Sequence, residues 1–318
     1  MSTQNGNPPG DSSPSGDSVL ASLESAGRDI AARVLPSVVS IGRHGRGSGV
    51  VVAPGRVLTN AHNLRDRTTQ VTFADGRSVQ AAVVGADPHG DLAVLEVDTG
   101  SASPVEFATD TTEIGSVVFG AARGLRGGRI SLGLVASTDR PFRGPGGRPI
   151  PGSVEHTAPL ARGSSGGALV DRSGKVVGIN THRVGDGFYL ALAADDELRE
   201  RIASLSAGHS VERLTLGIAI APAPVARKLR RSVGLPERDG LLVRGVEPGS
   251  PAGRAGITTG DLLVRAAGRD LTVADDLFEV LDAHDATTPL ELAVVRGAEE
   301  LTVSVDFTDE APREEGNA

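Results

Sequence analysis

Three short segments of this 318-residue chain carry side chains that together could form a nucleophilic triad. Residues 163–167 are Gly-Ser-Ser-Gly-Gly, and a serine flanked by glycines can sit on a tight turn whose backbone N–H groups face outward. Such N–H groups can bind the negative oxygen of a tetrahedral intermediate. His62 ends the run Leu-Thr-Asn-Ala-His, and Asp91 precedes the apolar run 92–95. A nucleophile, a base and an acid of these types would perform acyl transfer.

Each segment alone is weak evidence for that chemistry. Most Ser-Gly-Gly stretches are loops, and a lone histidine is more often a core or surface residue than a base. A single Asp before a strand is usually a turn residue. Together, in the chain order His, Asp, Ser, the segments favour a two-barrel serine protease.

The elements around these segments are mostly short β-strands. From about residue 37 to 193, apolar runs alternate with Gly and Pro, which predicts a β-barrel or sandwich. The predicted strands are 37–42, 49–53, 79–86, 92–97, 116–121, 130–137, 167–171, 175–180 and 188–193. A helix over 19–34 follows from the spacing of Leu20, Leu23, Ile30 and Val34. A second helix over 195–205 begins with Asp residues suited to an N-cap.

A second unit is expected after a polar linker at 206–212. Residues 213–308 mix four strands with one helix, predicted over 274–284. The strands of this unit are predicted at 240–246, 261–267, 290–296 and 301–307. The polar ends, 1–18 and 309–318, are predicted to be disordered tails.

Composition excludes several classes of function. The chain lacks cysteine, so disulfides, thiolate catalysis and Cys-type zinc sites are excluded, and it has no HExxH spacing. We therefore expect no metal and no cofactor. A net charge of −8, the absence of a long basic run and only 3% aromatic residues argue against a nucleic-acid partner.

These motifs resemble the HtrA (Deg) family of trypsin-like serine proteases with one C-terminal PDZ domain. The matching segments are TNAH (59–62), GDLAVLEV (90–97) and GSSGGALV (163–170), with GSGVVV at 47–52. In the second unit, LTLGI (214–218) and the stretch 247–271 are similar to a PDZ domain. The resemblance implies a chymotrypsin-like double β-barrel over 36–205, preceded by a helix over 19–35. It also implies an α+β PDZ domain over 213–308.

The resemblance assigns roles to individual residues. Ser165 would be the nucleophile, His62 the general base and Asp91 the acid that orients His62, with Asp87 as a nearby rival. The N–H groups of Gly163 and Ser165 would form the oxyanion hole. Ser164 and Ala168 stand where the family usually has Asn and Pro, which removes no catalytic atom.

Binding residues follow from the same resemblance. Leu160, Ile179 and Thr181 match positions that line the primary substrate pocket, and the absence of an acid there predicts a small or medium aliphatic residue before the scissile bond. His182 is interpreted as a surface histidine at a strand end. Leu216, Gly217 and Ile218 match the carboxylate-binding loop of a PDZ domain, where successive N–H groups hold a peptide C-terminus. Leu277, Val280 and Leu281 would either wall that groove or face the core.

The function implied is that of a serine endopeptidase that cleaves unfolded or damaged proteins and binds hydrophobic C-termini through its PDZ domain. Two alternatives stay open: a catalytically silent PDZ scaffold or chaperone, and an esterase. Strands rather than a helix follow Ser165, which argues against the esterase. The resemblance implies a possible homotrimer. With no signal peptide or membrane span in the sequence, a cytoplasmic location is predicted, or a periplasmic one if an upstream segment precedes this chain.

Overall fold

The computed structural model describes residues 16–64, 68–144, 147–150, 152–211 and 213–308. The chain divides into two compact units, Met1–Val211 and Glu212–Ala318. The division falls within the segment predicted as a linker. The predicted tails lie outside the described residues except for 16–18. Those three residues open the first helix, where Asp17 suits the positive end of the helix dipole.

The first unit contains two closed six-stranded barrels, which confirms the predicted double-barrel fold. The first barrel has the strand order β1-β2-β3-β6-β5-β4. Its strands are β1 (Val38–Ile41), β2 (Gly47–Ala53), β3 (Arg56–Thr59), β4 (Thr68–Thr72), β5 (Ser78–Asp87) and β6 (Leu92–Glu96). Every pair in this barrel is antiparallel, so short loops at the barrel ends connect most neighbouring strands.

The second barrel has the order β11-β14-β13-β12-β7-β8, and a small separate hairpin, β9-β10, interrupts it in sequence. Its strands are β7 (Val117–Gly124), β8 (Gly127–Thr138), β11 (Ser153–His156), β12 (Ala168–Val170), β13 (Val176–Gly185) and β14 (Phe188–Ala193). The hairpin consists of β9 (Phe142–Arg143) and β10 (Pro149–Ile150). Strand β13 extends five residues past its predicted end at 180 and so carries Thr181 and His182.

The two barrels and two helices share one apolar core. Strand residues of the first barrel, such as Leu58, and of the second, such as Ile179, pack in the same buried cluster. Helix α1 (Gly16–Val34) contributes Ile30 and Val34 to it, whereas Leu20 and Leu23 in its first half stay exposed. Because the shared core fixes one barrel against the other, loops from both can meet with little freedom.

Helix α2 (Asp196–Ser206) closes the first unit as predicted from its Asp residues. The Asp195 side chain caps it by accepting a hydrogen bond from the Leu198 N–H, at 2.8 Å. Leu198, Ile202 and Leu205 are buried against the shared core. No helix among the described residues combines the length and the apolar character needed to cross a membrane.

The second unit is one sheet with the order β15-β16-β17-β19-β20, in which β18 pairs with β17. The strands are β15 (Ile218–Ala221), β16 (Leu241–Val246), β17 (Leu262–Ala266), β18 (Arg269–Asp270), β19 (Leu290–Arg296) and β20 (Glu299–Val305). The helices are α3 (Ala223–Ser232), α4 (Pro251–Arg254) and α5 (Ala274–Ala283). Helix α3, which starts with two prolines at 222 and 224, was not predicted. Pro is well tolerated in the first turn of a helix, so these residues mark its start rather than a loop.

A buried histidine lies in the second barrel. His156 in β11 is fully buried, and its ring stacks on Tyr189. Asn180 Nδ2 donates to the Ala168 carbonyl, so Asn180 Oδ1 faces His156 Nε2 at 3.1 Å and His156 must donate from Nε2. Nδ1 has no partner among the described residues. Burial lowers the pKa of His156 to about 4 from an ordinary value of 6.5.

This depressed pKa predicts a loss of stability on acidification. The unfolded chain takes up a proton at His156 below about pH 6.5, while the folded chain resists it until about pH 4. The contribution of the neutral ring to the free energy of unfolding is therefore fully present above pH 6.5. It decreases as the pH falls from 6.5 toward 4, and the loss is about 2 kcal/mol at pH 5. Urea unfolding at pH 7 and pH 5 should show this extra loss in the wild type but not in His156→Gln. An equal loss in both proteins would contradict the prediction.

Candidate active site

The structure brings His62 and Asp91 into direct contact. His62 Nδ1 lies 2.8 Å from Asp91 Oδ2 and 2.9 Å from Oδ1, and the His62 backbone N–H also donates to Oδ1. The contact arises because β3 and β6 are paired neighbours. His62 lies in the single helical turn that follows β3, and Asp91 directly precedes β6. The side chain of His62 is 31% exposed, whereas that of Asp91 is fully buried.

Other groups fix Asp91 from both barrels. Thr181 Oγ1, from the second barrel, donates to Asp91 Oδ2 at 2.8 Å. Asn60 Nδ2 donates to the Asp91 backbone carbonyl at 2.9 Å. The backbone of Asp91 has a φ of +55°, a left-handed conformation that costs free energy for a non-glycine residue and is held here by these contacts. The carboxylate is thus oriented to accept a hydrogen bond from the protonated Nδ1 of His62.

Asp87, the rival acid, does not contact His62. Its Oδ2 binds Arg201 at 2.7 Å, and its Oδ1 accepts the Gly90 N–H at 2.8 Å. These contacts tie the turn before Asp91 to helix α2. Asp87 therefore shapes the loop, and the geometry favours Asp91 as the partner of the base.

The serine turn depends on glycine conformations. Gly163 and Gly166 have φ values of +84° and +86°, and a Cβ on Gly166 would lie 2.1 Å from the Ser48 carbonyl oxygen. The Gly166 N–H donates to the Asn180 carbonyl at 2.7 Å, which secures the turn to β13. Any side chain at Gly166 would therefore push the serine out of place.

The first barrel holds the serine turn through two polar side chains and one backbone group. The Ser165 carbonyl accepts hydrogen bonds from the Ser48 N–H at 2.8 Å and from Asn63 Nδ2 at 2.9 Å. Ser48 Oγ donates to the Gly163 carbonyl at 2.8 Å. Asn63 is the neighbour of His62, so His62 and the turn of Ser165 share one support.

The hydroxyl of Ser165 makes no hydrogen bond to His62 in the described part of the chain. Ser165 Oγ donates to the Thr181 carbonyl at 2.8 Å, and this is its one hydrogen bond within the described part of the chain. Over the same residues, the backbone N–H groups of Gly163 and Ser165 donate to no protein acceptor. The site therefore has two N–H groups available for an oxyanion and a serine that must rotate before it can pass a proton to His62.

A cavity of about 380 Å³ lies beside Ser165. Leu160 and Thr181, two of the three predicted pocket residues, line it. Ile179, the third, is fully buried in the shared core and paired with Ala168, and it is not among the lining residues. Thr181 has a second role that the sequence did not suggest, because its hydroxyl binds Asp91.

His182 is half-buried beside the base, so its interpretation as a surface histidine at a strand end is wrong. Strand β13 continues to Gly185, and the ring of His182 packs against Phe142 and, edge to face, against His62 with centroids 5.9 Å apart. Burial lowers the pKa of His182, the nearby His62 lowers it further and Asp91 opposes the shift. The ring is thus favoured in its neutral form beside the base.

The second unit has a loop suited to binding a carboxylate. Gly217 has a φ of +70°, and a Cβ there would lie 2.2 Å from the Ser250 Cβ. The N–H groups of Leu216 and Gly217 donate to no acceptor among the described residues, and β15, which begins at Ile218, is an edge strand of its sheet. Leu277, Val280 and Leu281 of α5 are all buried in the core cluster of this unit.

Comparison with known proteins agrees with this architecture. Residues 47–179 match the family model of the trypsin-like peptidase domain, and residues 224–307 match that of the PDZ domain. HhoA of Synechocystis sp., named as a serine protease, is 31% identical over 282 residues, which cover 82% of this chain and 70% of that protein. The chain belongs to the HtrA family. The mitochondrial serine protease HTRA2 of Bos taurus is 30% identical over 87% of this chain and 66% of its own length.

Solved structures and longer relatives extend the comparison. The serine endoprotease from Yersinia pestis has a TM-score of 0.56 and 25% identity, covering 88% of this HtrA chain and 96% of that one. The HtrA-type protease AlgW with a decapeptide shares the fold, with a TM-score of 0.59 and 23% identity over 88% of this chain and 97% of that chain. A DegP-like periplasmic serine endoprotease of Brucella suis is 32% identical, but the chain spans only 52% of its length.

Sequence reasoning missed several residues that support the HtrA site. Ser48 and Asn63 hold the turn of Ser165, Asn60 holds Asp91, and His182 packs on His62. The first three lie in the segments GSG (47–49) and TNAHN (59–63), where polar side chains beside glycine and beside His62 are the signal that could have indicated them. Within the described residues, no group of three or more His, Asp or Glu side chains is arranged to hold a metal ion.

The hydroxyl of Thr181 provides a test of how Asp91 is held. Thr181→Val keeps the shape of the side chain and removes the hydrogen bond to the buried carboxylate. A hydrogen bond to a charged group is worth about 1.5–3 kcal/mol, so we expect kcat/KM on a peptide substrate to fall by roughly tenfold or more. Thr181→Ser keeps the hydroxyl and should retain most of the activity. Full activity in the valine variant would show that Asp91 does not need this donor.

Proposed function

We propose that this HtrA protein is a serine endopeptidase that cleaves unfolded or damaged polypeptides. The observation that carries the proposal is the His62–Asp91 contact beside the glycine-held turn of Ser165. His62 is partly exposed, so a substrate can reach it, while its acid partner is shielded from water. This combination suits a base that must gain and lose a proton during each turnover.

The proposed reaction follows from these positions. Ser165 Oγ attacks the substrate carbonyl carbon as His62 Nε2 takes its proton, and Asp91 stabilises the imidazolium that forms. The N–H groups of Gly163 and Ser165 would bind the oxyanion. His62 then protonates the leaving amine, and water hydrolyses the acyl-enzyme by the reverse proton transfers.

The hydrogen bond from Ser165 to the Thr181 carbonyl supports a resting state of low activity. Breaking that bond is a precondition of attack, and a substrate that displaces the hydroxyl would turn it toward His62. The same observation favours the second candidate function, a PDZ scaffold whose protease unit is silent. The scaffold would keep this bond when substrate is present, whereas the enzyme would lose it.

The proposal includes a substrate preference at the cavity and a peptide site in the second unit. Leu160 and Tyr189 give the cavity beside Ser165 an apolar side, which supports a small or medium aliphatic residue before the scissile bond. For the second unit, we propose that Leu216, Gly217 and Ile218 bind a peptide C-terminus by their N–H groups, with the peptide added as a strand beside β15. Hydrophobic C-termini exposed by unfolding would be its ligands.

Assembly and location remain predictions. A homotrimer is proposed from the family resemblance, and the exposed apolar side chains Val19, Leu20 and Leu23 of α1 provide a surface that association could bury. Analytical ultracentrifugation would measure the mass in solution. The cytoplasmic location predicted from the sequence is tested by cell fractionation, since relatives are named periplasmic or mitochondrial.

Loss of the serine hydroxyl should abolish hydrolysis. We expect the purified chain to cleave unfolded casein and Ser165→Ala to cleave it at least 10⁴-fold more slowly, because no other group can form the acyl-enzyme. Gel electrophoresis of time points and release of acid-soluble fragments measure both rates. Ser164→Ala, one residue away, is the matched control and should retain activity. Equal cleavage by wild type and Ser165→Ala would reject the endopeptidase, and no cleavage by either would favour the scaffold.

Binding at the second unit should depend on a free carboxylate. A peptide ending in an apolar residue with a free C-terminus should bind the full-length chain with a micromolar dissociation constant. The same peptide with a C-terminal amide should bind at least tenfold more weakly, because it lacks the charge that the N–H groups hold. Fluorescence anisotropy measures the affinity of both peptides. The variant Gly217→Ala, which would strain the loop, should weaken binding of the free-carboxylate peptide only. No binding of either peptide at millimolar concentration would count against the proposed groove.

A further inference from the structure

The cavity beside Ser165 has an unusual distribution of charge. Three of its ten lining residues carry basic side chains, namely Arg162, His182 and Arg183, and none is acidic. A cavity that recognised only an aliphatic residue would need no such charges. The cluster therefore points to an anionic group on the substrate.

Within the described part of the chain, the two arginines have no acidic partner. Among the described residues, no carboxylate lies within ion-pair distance of Arg162 or Arg183, whereas Arg199 and Arg201 in the same unit pair with Asp196 and Asp87. The guanidinium of Arg183 lies 5.9 Å from the ring centroid of Tyr189, another lining residue. A guanidinium is always charged and can bind a carboxylate with two parallel hydrogen bonds.

The tautomer of His182 leaves a second ring nitrogen for a ligand. Thr181 Oγ1 has one hydrogen and donates it to Asp91, so it must accept from His182 Nδ1, which lies 3.0 Å away. Nε2 of the neutral ring then carries no proton. On protonation, Nε2 becomes a donor and the ring becomes a third cation in this part of the cavity. A substrate carboxylate nearby would favour that protonated form.

The open edge of β13 brings a substrate chain past these residues. One edge of β13 pairs with β14, including His182 with Leu190 and Arg183 with Tyr189. The other edge pairs with β12 only as far as Ile179. Beyond Asn180, no described strand pairs with this edge of β13. A peptide can add there as a strand, and its residues before the scissile bond would lie along His182 and Arg183.

We propose that this site selects peptides in which an acidic side chain, Asp or Glu, lies one or two residues before the aliphatic residue at the scissile bond. Arg162, His182 and Arg183 recognise the carboxylate. The proposal rests on the proposed endopeptidase function and adds a substrate class to it.

The test compares peptides that differ only in charge. Fluorogenic peptides carry Glu, Gln or Lys at either of the two positions before a valine, and kcat/KM is measured with the full-length chain. We expect Glu to exceed Gln by roughly tenfold at low ionic strength at one of the positions, with Lys the poorest. The preference should shrink in 0.5 M salt because partly exposed charges are screened. A Glu-to-Gln ratio of one or less at both positions would overturn the proposal.

Variants link the preference to the named side chains. The double variant Arg162→Gln/Arg183→Gln should bring the Glu-to-Gln ratio close to one, and His182→Gln should reduce it. Arg172→Gln removes an exposed arginine that does not line the cavity and should leave the ratio unchanged. A ratio that survives in the double variant, or that falls equally in Arg172→Gln, contradicts the assignment.

A binding measurement separates failure of this proposal from failure of the endopeptidase. If no peptide is hydrolysed, the Ser165→Ala chain is titrated with the Glu and Gln peptides, because recognition of the carboxylate does not need the nucleophile. Tighter binding of the Glu peptide, lost in the double arginine variant, would support the selection by itself. Equal affinities would overturn it. Serine-dependent hydrolysis without any charge preference would support the endopeptidase function and reject only the proposed selection of acidic peptides.

Discussion

A single buried carboxylate organises the protease unit. Asp91 is fully shielded from water, and such a charge is tolerated only when hydrogen-bond donors replace the lost solvent. The donors come from His62, through both ring and backbone, and from Thr181 of the other barrel. The two barrels must therefore close against each other for the acid to be satisfied. Packing of the shared core therefore also helps to orient Asp91 toward His62.

The turn of Ser165, the proposed nucleophile, is held across the same boundary in the opposite direction. Ser165 belongs to the second barrel, yet its carbonyl accepts hydrogen bonds from Ser48 and Asn63 of the first. Each barrel thus supports a residue of the other barrel to which we assign a catalytic role. This reciprocity explains why the hydrophobic core that joins the barrels matters for chemistry, since a shift of one barrel would move both groups apart.

Much of this arrangement could be predicted from the sequence because it depends on local patterns. Short apolar strands and glycine-rich turns predict a β-barrel or sandwich, and the family resemblance specifies two barrels. Asp195 predicts the start of α2 through its capping side chain. The roles predicted for His62, Asp91 and Ser165 depend on the family resemblance rather than on their spacing alone. What could not be predicted depends on contacts between distant segments. The hydroxyl of Thr181 reaches Asp91 across 90 positions, and no local pattern reports this. The position of His182 was misjudged because β13 runs on past the last apolar residue of its pattern.

The resting hydrogen bond of Ser165 affects how this protein would behave toward reagents that label nucleophilic serines. Fluorophosphonates and sulfonyl fluorides react with a hydroxyl whose proton can move to a base, but here the Ser165 hydroxyl is hydrogen-bonded to the Thr181 carbonyl. Labelling of the isolated protein is therefore expected to be slow even where peptide turnover is efficient. An inventory of active hydrolases based on such labels would therefore underrepresent this chain.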